Sequence, residues 1–349
     1  MAGNPPPEPP ESIILGMFSG VKNTVSPERL REGELEAAVN VDIDDAGQAR
    51  RRRGQTLRHA DPHHSAITIG GRTFVVRDGV LGVLGTDFTH TPLTTVGADP
   101  LSYTSVGDVV YFSSRSASGR IVDDAVLPWG AEVSPGEWLS PVMRPTETLG
   151  AISGQLLGAP PMATEIEYYK GRIYLVHDKL LWATELYLYD RVDKTKGFIQ
   201  FEDPITLVQA VESGLFVGTT AQLFFLRGTY SEGLKRSIVL DAAVIQGSAV
   251  KAPTADVHPD TKSGAVPEGT SPVFMTSEGI CCGLDDGRVY NLTRGRVVFP
   301  SAVSAAALYR MDQGANAYVA VANSAGGPSA SARIGDYVDA EIVRASQGG

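Results

Sequence analysis

The side chains that could do chemistry in this 349-residue sequence occur in a few short clusters. Carboxylates form three close pairs, namely Asp123/Asp124, Glu165/Glu167 and Asp285/Asp286. General acid–base catalysis needs two carboxyl groups that face each other across a substrate. Sequence neighbours in turns do not promise that arrangement, and Asp286-Gly287 is typical of a hairpin turn. Nucleophile-elbow, phosphate-loop and His-Glu-x-x-His motifs are also absent, so the sequence predicts no catalytic residues.

Histidine and acidic residues are grouped in two places where a metal site must be considered. His59, Asp61 and the pair His63-His64 lie in a polar stretch before the first apolar repeat, which favours an exposed loop. The stretch that begins at Asp42 opens like a calcium loop. However, it has Ala46 where an oxygen ligand is needed and Arg53 where a bidentate glutamate is needed. We therefore expect no metal ion and no cofactor.

The two cysteines, Cys281 and Cys282, are adjacent on a predicted strand. Neighbours on a strand point to opposite faces, so the pair is expected to be two small buried or half-buried residues. Neither a disulfide framework nor a four-thiolate zinc site can be built from them.

One basic cluster stands out, the run of Arg50, Arg51, Arg52 and Arg53. On a strand its side chains alternate between two faces, and four adjacent guanidinium groups need carboxylate or phosphate partners. Two interpretations remain open. The strand either pairs with the aspartates of its own hairpin, or it binds an acidic neighbour or DNA. The interface candidates are Arg50, Arg51, Arg52, Arg53, Asp42 and Asp44.

The elements that position these residues begin with a proline-rich arm over residues 1–11, which can neither pair in a sheet nor form a helix. Ser26-Pro27 predicts a short helical turn. Residues 37–44 alternate as a half-buried strand, residues 45–47 form a turn, and residues 48–53 return as a second strand. Residues 12–65 are thus predicted to be an extended, hairpin-containing docking segment.

From residue 66 to about 345 a glycine repeatedly precedes a short apolar strand that is followed by a turn and another strand. The copies begin at Gly71, Gly107, Gly171, Gly214 and Gly279, with a weaker copy at Gly314. Such hairpins bury their faces by stacking, and a ring of blades closes the stack. The sequence therefore predicts an all-β, propeller-like body of about six blades, with five or seven as alternatives. The competing interpretation of the same repeats is a β-sandwich with a second β domain. Loop-like insertions are expected near 125–161 and 247–272.

Composition limits the class of protein. Gly (38) and Pro (22) are too frequent for an all-helical fold. No apolar run approaches the length of a membrane helix, and the first residues do not resemble a signal peptide. The formal net charge of −10 argues against non-specific wrapping by nucleic acid.

Residues 14–57 resemble the opening of tailed-bacteriophage virion proteins. The shared pieces are a glycine–hydrophobic–asparagine strand at residues 20–23, an Ala-x-Asn-hydrophobic-Asp strand at 38–42, a turn glycine at 47 and an arginine–glycine closing at 51–54. Packaged-DNA stabilisation, tail nozzle and tail-hub proteins belong to this family, and the resemblance implies a propeller-like body.

The resemblance implies a non-enzymatic structural subunit that forms part of a homo-oligomeric ring around the DNA channel. Its neighbours would be portal-adaptor, tail-tube or fibre proteins, and DNA would pass without sequence-specific binding. The expected location is the virion tail, assembled in the host cytoplasm. The alternative is a receptor- or glycan-binding tail module that presents aromatic side chains, the candidates being Tyr187, Tyr189, Trp129 and Trp138. A glycoside hydrolase with an unrecognised carboxylate pair is a third hypothesis.

Overall fold

The computed structural model describes residues 18–39, 41–43, 47–51, 56–130, 157–258, 268–299, 301–311, 316–324 and 339–342. Of residues 324 and 339–342 it describes the backbone alone. The described chain is almost entirely β-structure, with one 3₁₀ turn at Pro27–Arg29 and one short helix, α1, at Thr254–Val257. Among these residues no helix has the length and apolar character that crossing a membrane requires.

Two small strand pairs precede the main body. Strands β1 (Gly20–Val21) and β2 (Glu34–Leu35) pair in parallel, and β3 (Val41–Ile43) pairs with β4 (Ala49–Arg51) in an antiparallel hairpin. The hairpin matches the predicted strand–turn–strand pattern, although residues 37–39 and 48 are not part of its strands. The 3₁₀ turn begins directly after Ser26, as Ser-Pro predicts.

Five antiparallel sheets follow, and they form a five-blade propeller arrangement. Blade one contains β5 (His63–Ile69), β6 (Arg72–Arg77), β7 (Val80–Leu84) and β8 (His90–Thr95). Blade two contains β9 (Ser102–Val106), β10 (Val109–Ser113), β11 (Ser118–Val122) and β12 (Ala125–Leu127). Blade three contains β13 (Leu157–Gly158), β14 (Glu165–Tyr169), β15 (Arg172–His177), β16 (Leu180–Glu185), β17 (Leu188–Asp193) and β18 (Phe198–Gln200).

The chain continues through two further blades and a smaller sheet. Blade four contains β19 (Ile205–Val211), β20 (Gly214–Thr219), β21 (Leu223–Arg227) and β22 (Lys235–Leu240). Blade five contains β23 (Val250–Pro253), β24 (Thr270–Thr276), β25 (Gly279–Gly283) and β26 (Val289–Asn291). The C-terminal sheet contains β27 (Ala302–Arg310), β28 (Ala317–Ser324) and β29 (Asp339–Ile342).

Four of the five clear glycine-headed strands occupy equivalent places in successive blades. Gly71, Gly107, Gly171 and Gly214 each precede or begin the second strand of a hairpin whose first strands, β5, β9, β14 and β19, lie side by side. Gly279 instead begins the third strand of blade five, β25, because β23 and β24 both precede it in that sheet. The predicted propeller is therefore confirmed. The number of blades is five, one of the predicted alternatives to six, because the weak sixth copy belongs to a three-stranded sheet. Gly314 itself lies outside the described residues.

The apolar core is divided among the interfaces between neighbouring blades. Separate buried clusters join blades one and two, two and three, three and four, and four and five, and a fifth joins blade five to the C-terminal sheet. This is the packing expected when each blade buries both faces against its neighbours. Inside the predicted insertions near 125–161 and 247–272 lie β12, β13, β23 and α1, and residues 131–156 and 259–267 lie outside the described part.

Candidate docking surface and central cluster

The described part of the N-terminal opening is attached to the end of the propeller by side-chain hydrogen bonds. The Asn23 amide donates from Nδ2 to the Val298 carbonyl (3.1 Å), and its Oδ1 accepts the Val298 N–H (2.8 Å). Thr24 Oγ1 donates to the Gly295 carbonyl at 3.0 Å. One asparagine thus satisfies both backbone groups of a residue 275 positions later in the chain. This gives a physical reason for an amide at position 23.

The segment is further held together by its own pairing. Lys22 Nζ lies 2.9 Å from Glu34 Oε1 across the β1–β2 pair, and the Phe18 N–H donates to the Gly47 carbonyl at 2.8 Å. The second bond links the start of the described chain to the β3–β4 hairpin.

The predicted interface residues lie on that hairpin. Arg50 and Arg51 are exposed in β4, and Asp42, in β3, is the cross-strand partner of Arg50. Asp42 Oδ2 also accepts a hydrogen bond from Arg310 Nη2 of β27 at 3.3 Å. Asp44, Arg52 and Arg53 lie outside the described residues. The structure thus brings Asp42 and Arg50 together and adds Arg310, which no local pattern linked to the hairpin.

A second polar site, which the sequence analysis set aside, lies where the inner strands of several blades meet. The sequence analysis treated Glu165 and Glu167 as neighbours in a turn. They lie instead at alternate positions of β14, so their side chains share one face. Ser102 Oγ of blade two donates to Glu165 Oε2 at 3.3 Å and accepts the Ile166 N–H at 3.0 Å. Lys251 Nζ of blade five lies 2.6 Å from Glu167 Oε1. We call Ser102, Glu165, Glu167 and Lys251 the central cluster.

Burial controls the protonation of this cluster. Desolvation raises the pKa of Glu165 to about 7. The negative charge of Glu167 adds to this rise, and the hydrogen bond from Ser102 opposes it. Desolvation also raises the pKa of Glu167, while Lys251 and the Ala210 N–H of blade four oppose the rise. Both carboxylates have partners from neighbouring blades, so the cluster connects blades two to five. The signal in the sequence was the i, i+2 spacing within an otherwise apolar strand.

The aromatic candidates have different surroundings. Trp129 is buried, and its Nε1 donates to the Tyr189 carbonyl at 2.8 Å. The Tyr111 ring packs on Trp129 with ring centroids 5.1 Å apart and also meets Tyr189, between blades two and three. Tyr187 is 60% exposed at the turn that joins β16 to β17. Trp138 lies outside the described residues.

The remaining candidates behave as small structural groups. Cys281 and Cys282 are buried free thiols on β25, as predicted, and burial raises the pKa of Cys281 to about 11 and that of Cys282 to about 12. His63 and His64 lie in β5 rather than in the predicted loop. Asp61, which precedes them, forms an ion pair with Arg77. Within the described ranges, no three His, Cys, Asp or Glu side chains are grouped to hold a metal ion.

Comparison with known proteins gives no family. No protein-family model matches the chain, and no curated protein matches it. Solved structures with similar backbones include the extracellular domain of a hybrid two-component system from B. thetaiotaomicron. It is 11% identical with a TM-score of 0.44, and the match covers 75% of this chain and 31% of that one, so this chain spans about a third of its length.

Two further structures have a similar degree of likeness. The N-terminal domain of BBS1 in complex with ARL6 is 10% identical with a TM-score of 0.42, over 72% of this chain and 71% of that one. The WD40 β-propeller domain of Doa1 is 13% identical with a TM-score of 0.35, over 74% of this chain and 90% of that one. The assignment of a propeller rests on the strand order described above.

Proposed function

We propose that this chain is a structural subunit of a bacteriophage tail. It would form part of a ring around the DNA channel and join neighbouring components such as portal-adaptor, tail-tube or fibre proteins. The proposal assigns it no catalytic role. Assembly would take place in the host cytoplasm and the mature location would be the virion tail.

The resemblance of residues 14–57 to the opening of phage virion proteins carries the proposal. The geometry supports it because two polar residues of that opening form hydrogen bonds to distant parts of the chain. Asn23 binds Val298 and Asp42 binds Arg310, so the opening attaches to the segment between β26 and β27 and to β27 itself. An element held in this way, with the exposed Arg50 and Arg51 on its hairpin, suits contact with a neighbouring subunit. The net charge of −10 suits a subunit beside DNA, because repulsion from phosphate prevents adhesion.

The experiment is to measure the protein composition of purified particles of the phage that encodes this chain. Quantitative mass spectrometry should find the chain in several copies per particle, and particles made without it should lack a functional tail. An abundant host protein of similar size serves as the contamination control. If the chain were absent from purified particles, or present only at the level of the host control, the proposal would be wrong.

The alternative, a receptor- or glycan-binding tail module, draws support from Tyr187 alone among the three described aromatic candidates. Its ring is exposed at a turn, whereas Trp129 is packed between two blades. Glycan-array binding by the purified chain that is lost in Tyr187→Ala would favour this alternative. Binding that is unchanged in the variant, or no binding at all, would count against it.

A further inference from the structure

The described residues between positions 18 and 51, which we call the N-terminal unit, are held together by their own hydrogen bonds. Strands β1 and β2 pair in parallel, the Ser19 N–H donates to the Gly33 carbonyl at 2.7 Å, and the Lys22 N–H donates to the Leu35 carbonyl at 2.7 Å. The bond from Phe18 to the β3–β4 hairpin joins the two strand pairs. The unit is thus connected internally and can move as one body.

Its attachment to the propeller is made mainly at one short stretch, residues 295–298, which we call the acceptor segment. Asn23 and Thr24 bind this segment through their side chains, at exposed positions. The Asn23 N–H also donates to the Arg296 carbonyl at 3.0 Å, and Arg296 Nη1 donates to the Ser19 carbonyl at 3.1 Å. Both sides supply donors and acceptors, so the contact is specific for this pair of segments.

The attachment is polar rather than apolar. A further contact is the 3.3 Å hydrogen bond from Arg310 to Asp42. Only Gly20 and Ile43 are buried among the unit's described residues, and none of these residues belongs to the five apolar clusters that join the blades. Exposed hydrogen bonds compete with water and contribute little net free energy. Releasing the unit should therefore cost much less free energy than opening a blade.

A short stretch of chain connects the unit to blade one. The chain meets this blade at Arg58, whose guanidinium lies over the Phe88 ring between β7 and β8, 5.2 Å from its centroid. The chain from Arg51 to Arg58 can span at most about 25 Å. A released unit can therefore reach only a copy that is packed directly beside its own propeller.

The acceptor segment itself specifies what can replace the unit. When the unit leaves, the Val298 N–H and carbonyl, the Gly295 carbonyl and the Arg296 side chain lose their partners in the unit. All of these bonds return if the same asparagine, threonine and backbone carbonyl come from a second copy of this chain. Exchange of an identical element preserves every contact and adds a connection between subunits.

We propose that the N-terminal unit binds the acceptor segment of a neighbouring copy, and that this exchange links successive subunits of the ring. The inference rests on the proposed function, since it names the contact through which that ring assembles. Because the unit and the acceptor segment are different surfaces, the contact is heterologous, and it produces a ring when the rotation between copies closes. Once subunits are adjacent, the high effective concentration of the neighbour's acceptor segment favours the exchange.

Cross-linking between two different single-cysteine variants of the full chain tests the proposal. Ser26→Cys places a thiol at an exposed position of the unit. Val298→Cys replaces a side chain that is 66% exposed and keeps the backbone groups that bind Asn23. The two variants are co-expressed, purified together and treated at about 100 µM, where contacts of micromolar affinity are filled, with a short bismaleimide. We expect a product that joins residue 26 of one variant to residue 298 of the other, identified by mass spectrometry.

Matched controls separate exchange from accidental contact. Asn23→Ala, added to the Ser26→Cys chain, removes both bonds to Val298 and should lower the yield of the mixed product about tenfold. Ile238→Cys in place of Val298→Cys should give no mixed product, since Ile238 is 57% exposed but lies in blade four. The wild type should not react, because Cys281 and Cys282 are buried.

A single chain that carries both Ser26→Cys and Val298→Cys gives the opposite outcomes. Successive exchange predicts cross-linked products of more than two chains. Cross-links confined within one chain, products that stop at two chains, or a mixed product that Asn23→Ala leaves unchanged would each overturn the inference. The composition of particles would still decide the proposed function separately.

Discussion

At the scale of single residues, the central cluster is where charge and burial conflict most strongly. Glu165 and Glu167 share one face of β14, and both are placed among the inner strands of neighbouring blades. A buried carboxylate is stable only if it is protonated or well paired. Glu167 has the Lys251 ammonium, whereas Glu165 has a hydroxyl and a negatively charged neighbour. We therefore expect the two residues to respond differently to mutation.

For Glu165 we predict a dependence of stability on pH. The pKa of Glu165 in the folded state, about 7, lies above its ordinary value of 4.5. Between these values the folded protein holds a proton that the unfolded chain has lost, so the contribution of Glu165 to stability falls as pH rises through this window. Glu165→Gln should match the wild type near pH 4.5 and exceed it at pH 8 by about 1–3 kcal/mol. Urea unfolding across this range measures the difference.

Ser102→Ala is the companion variant for this measurement. It removes the hydroxyl that donates to Glu165, so the pH window should extend upward while stability falls at every pH through loss of the bond to the Ile166 N–H. Parallel stability curves for the wild type and Glu165→Gln would contradict the assignment of a raised pKa.

For Glu167 we predict strong coupling to Lys251. Lys251→Met leaves a buried carboxylate without its cation and should destabilise the fold by about 2 kcal/mol or more. Glu167→Gln combined with Lys251→Met should be less destabilised than the sum of the single variants. A double-mutant cycle in urea gives this coupling energy. Strictly additive effects would show that the 2.6 Å contact contributes nothing to stability.

At the scale of elements, the glycines that join strands act through two separate effects. Gly71 and Gly247 have nearly the same positive φ, +76° and +77°. A β-carbon at Gly71 would meet no heavy atom within 4 Å, whereas one at Gly247 would lie 2.2 Å from the Ala305 carbonyl oxygen of β27. Comparing alanine substitutions at these two glycines therefore separates the free-energy cost of the backbone conformation from that of a steric clash.

We predict that Gly71→Ala lowers the free energy of unfolding by about 1 kcal/mol, the cost of placing a side chain at positive φ. Gly247→Ala should cost about 2 kcal/mol more, because β27 must move away from the chain at residue 247. Urea unfolding of both variants measures the difference. Equal losses would mean that the C-terminal sheet shifts at no cost.

The attachment of the N-terminal opening can be tested at the same scale. Asn23→Ala removes both hydrogen bonds to Val298, so amide hydrogen exchange should become faster over residues 18–24 and at Val298. The strands of blades one to four should exchange at unchanged rates. Asn23→Asp keeps the acceptor for the Val298 N–H and should give an intermediate effect. Faster exchange throughout the propeller in Asn23→Ala would contradict a local attachment.

At the scale of the whole molecule, the net charge of −10 predicts weak interaction with DNA. We expect the dissociation constant for a duplex at physiological salt to be weaker than about 100 µM, because repulsion outweighs the local attraction of Arg50 and Arg51. Fluorescence anisotropy with a labelled duplex measures it, with the double variant Arg50→Glu/Arg51→Glu as control. Tight binding that the double variant loses would instead identify the hairpin as a DNA contact.

The sequence by itself determined the local structure of this protein. Glycine-headed hairpins, the strand–turn–strand pattern at residues 37–53 and the burial of Cys281 and Cys282 follow from alternation and from turn residues. These are properties of a few neighbouring positions. Repetition of the hairpin then implied a propeller, because strands with two apolar faces must stack.

The tertiary structure alone decided how many hairpins become complete blades and which distant polar groups meet. The sixth copy belongs to a sheet of three strands, and β23 lies in a region whose composition is typical of loops. Glu167 meets Lys251 across 84 positions, and Asp42 meets Arg310 across 268. No local pattern records such pairs, because their free energy depends on burial and distance in the folded chain and not on sequence spacing.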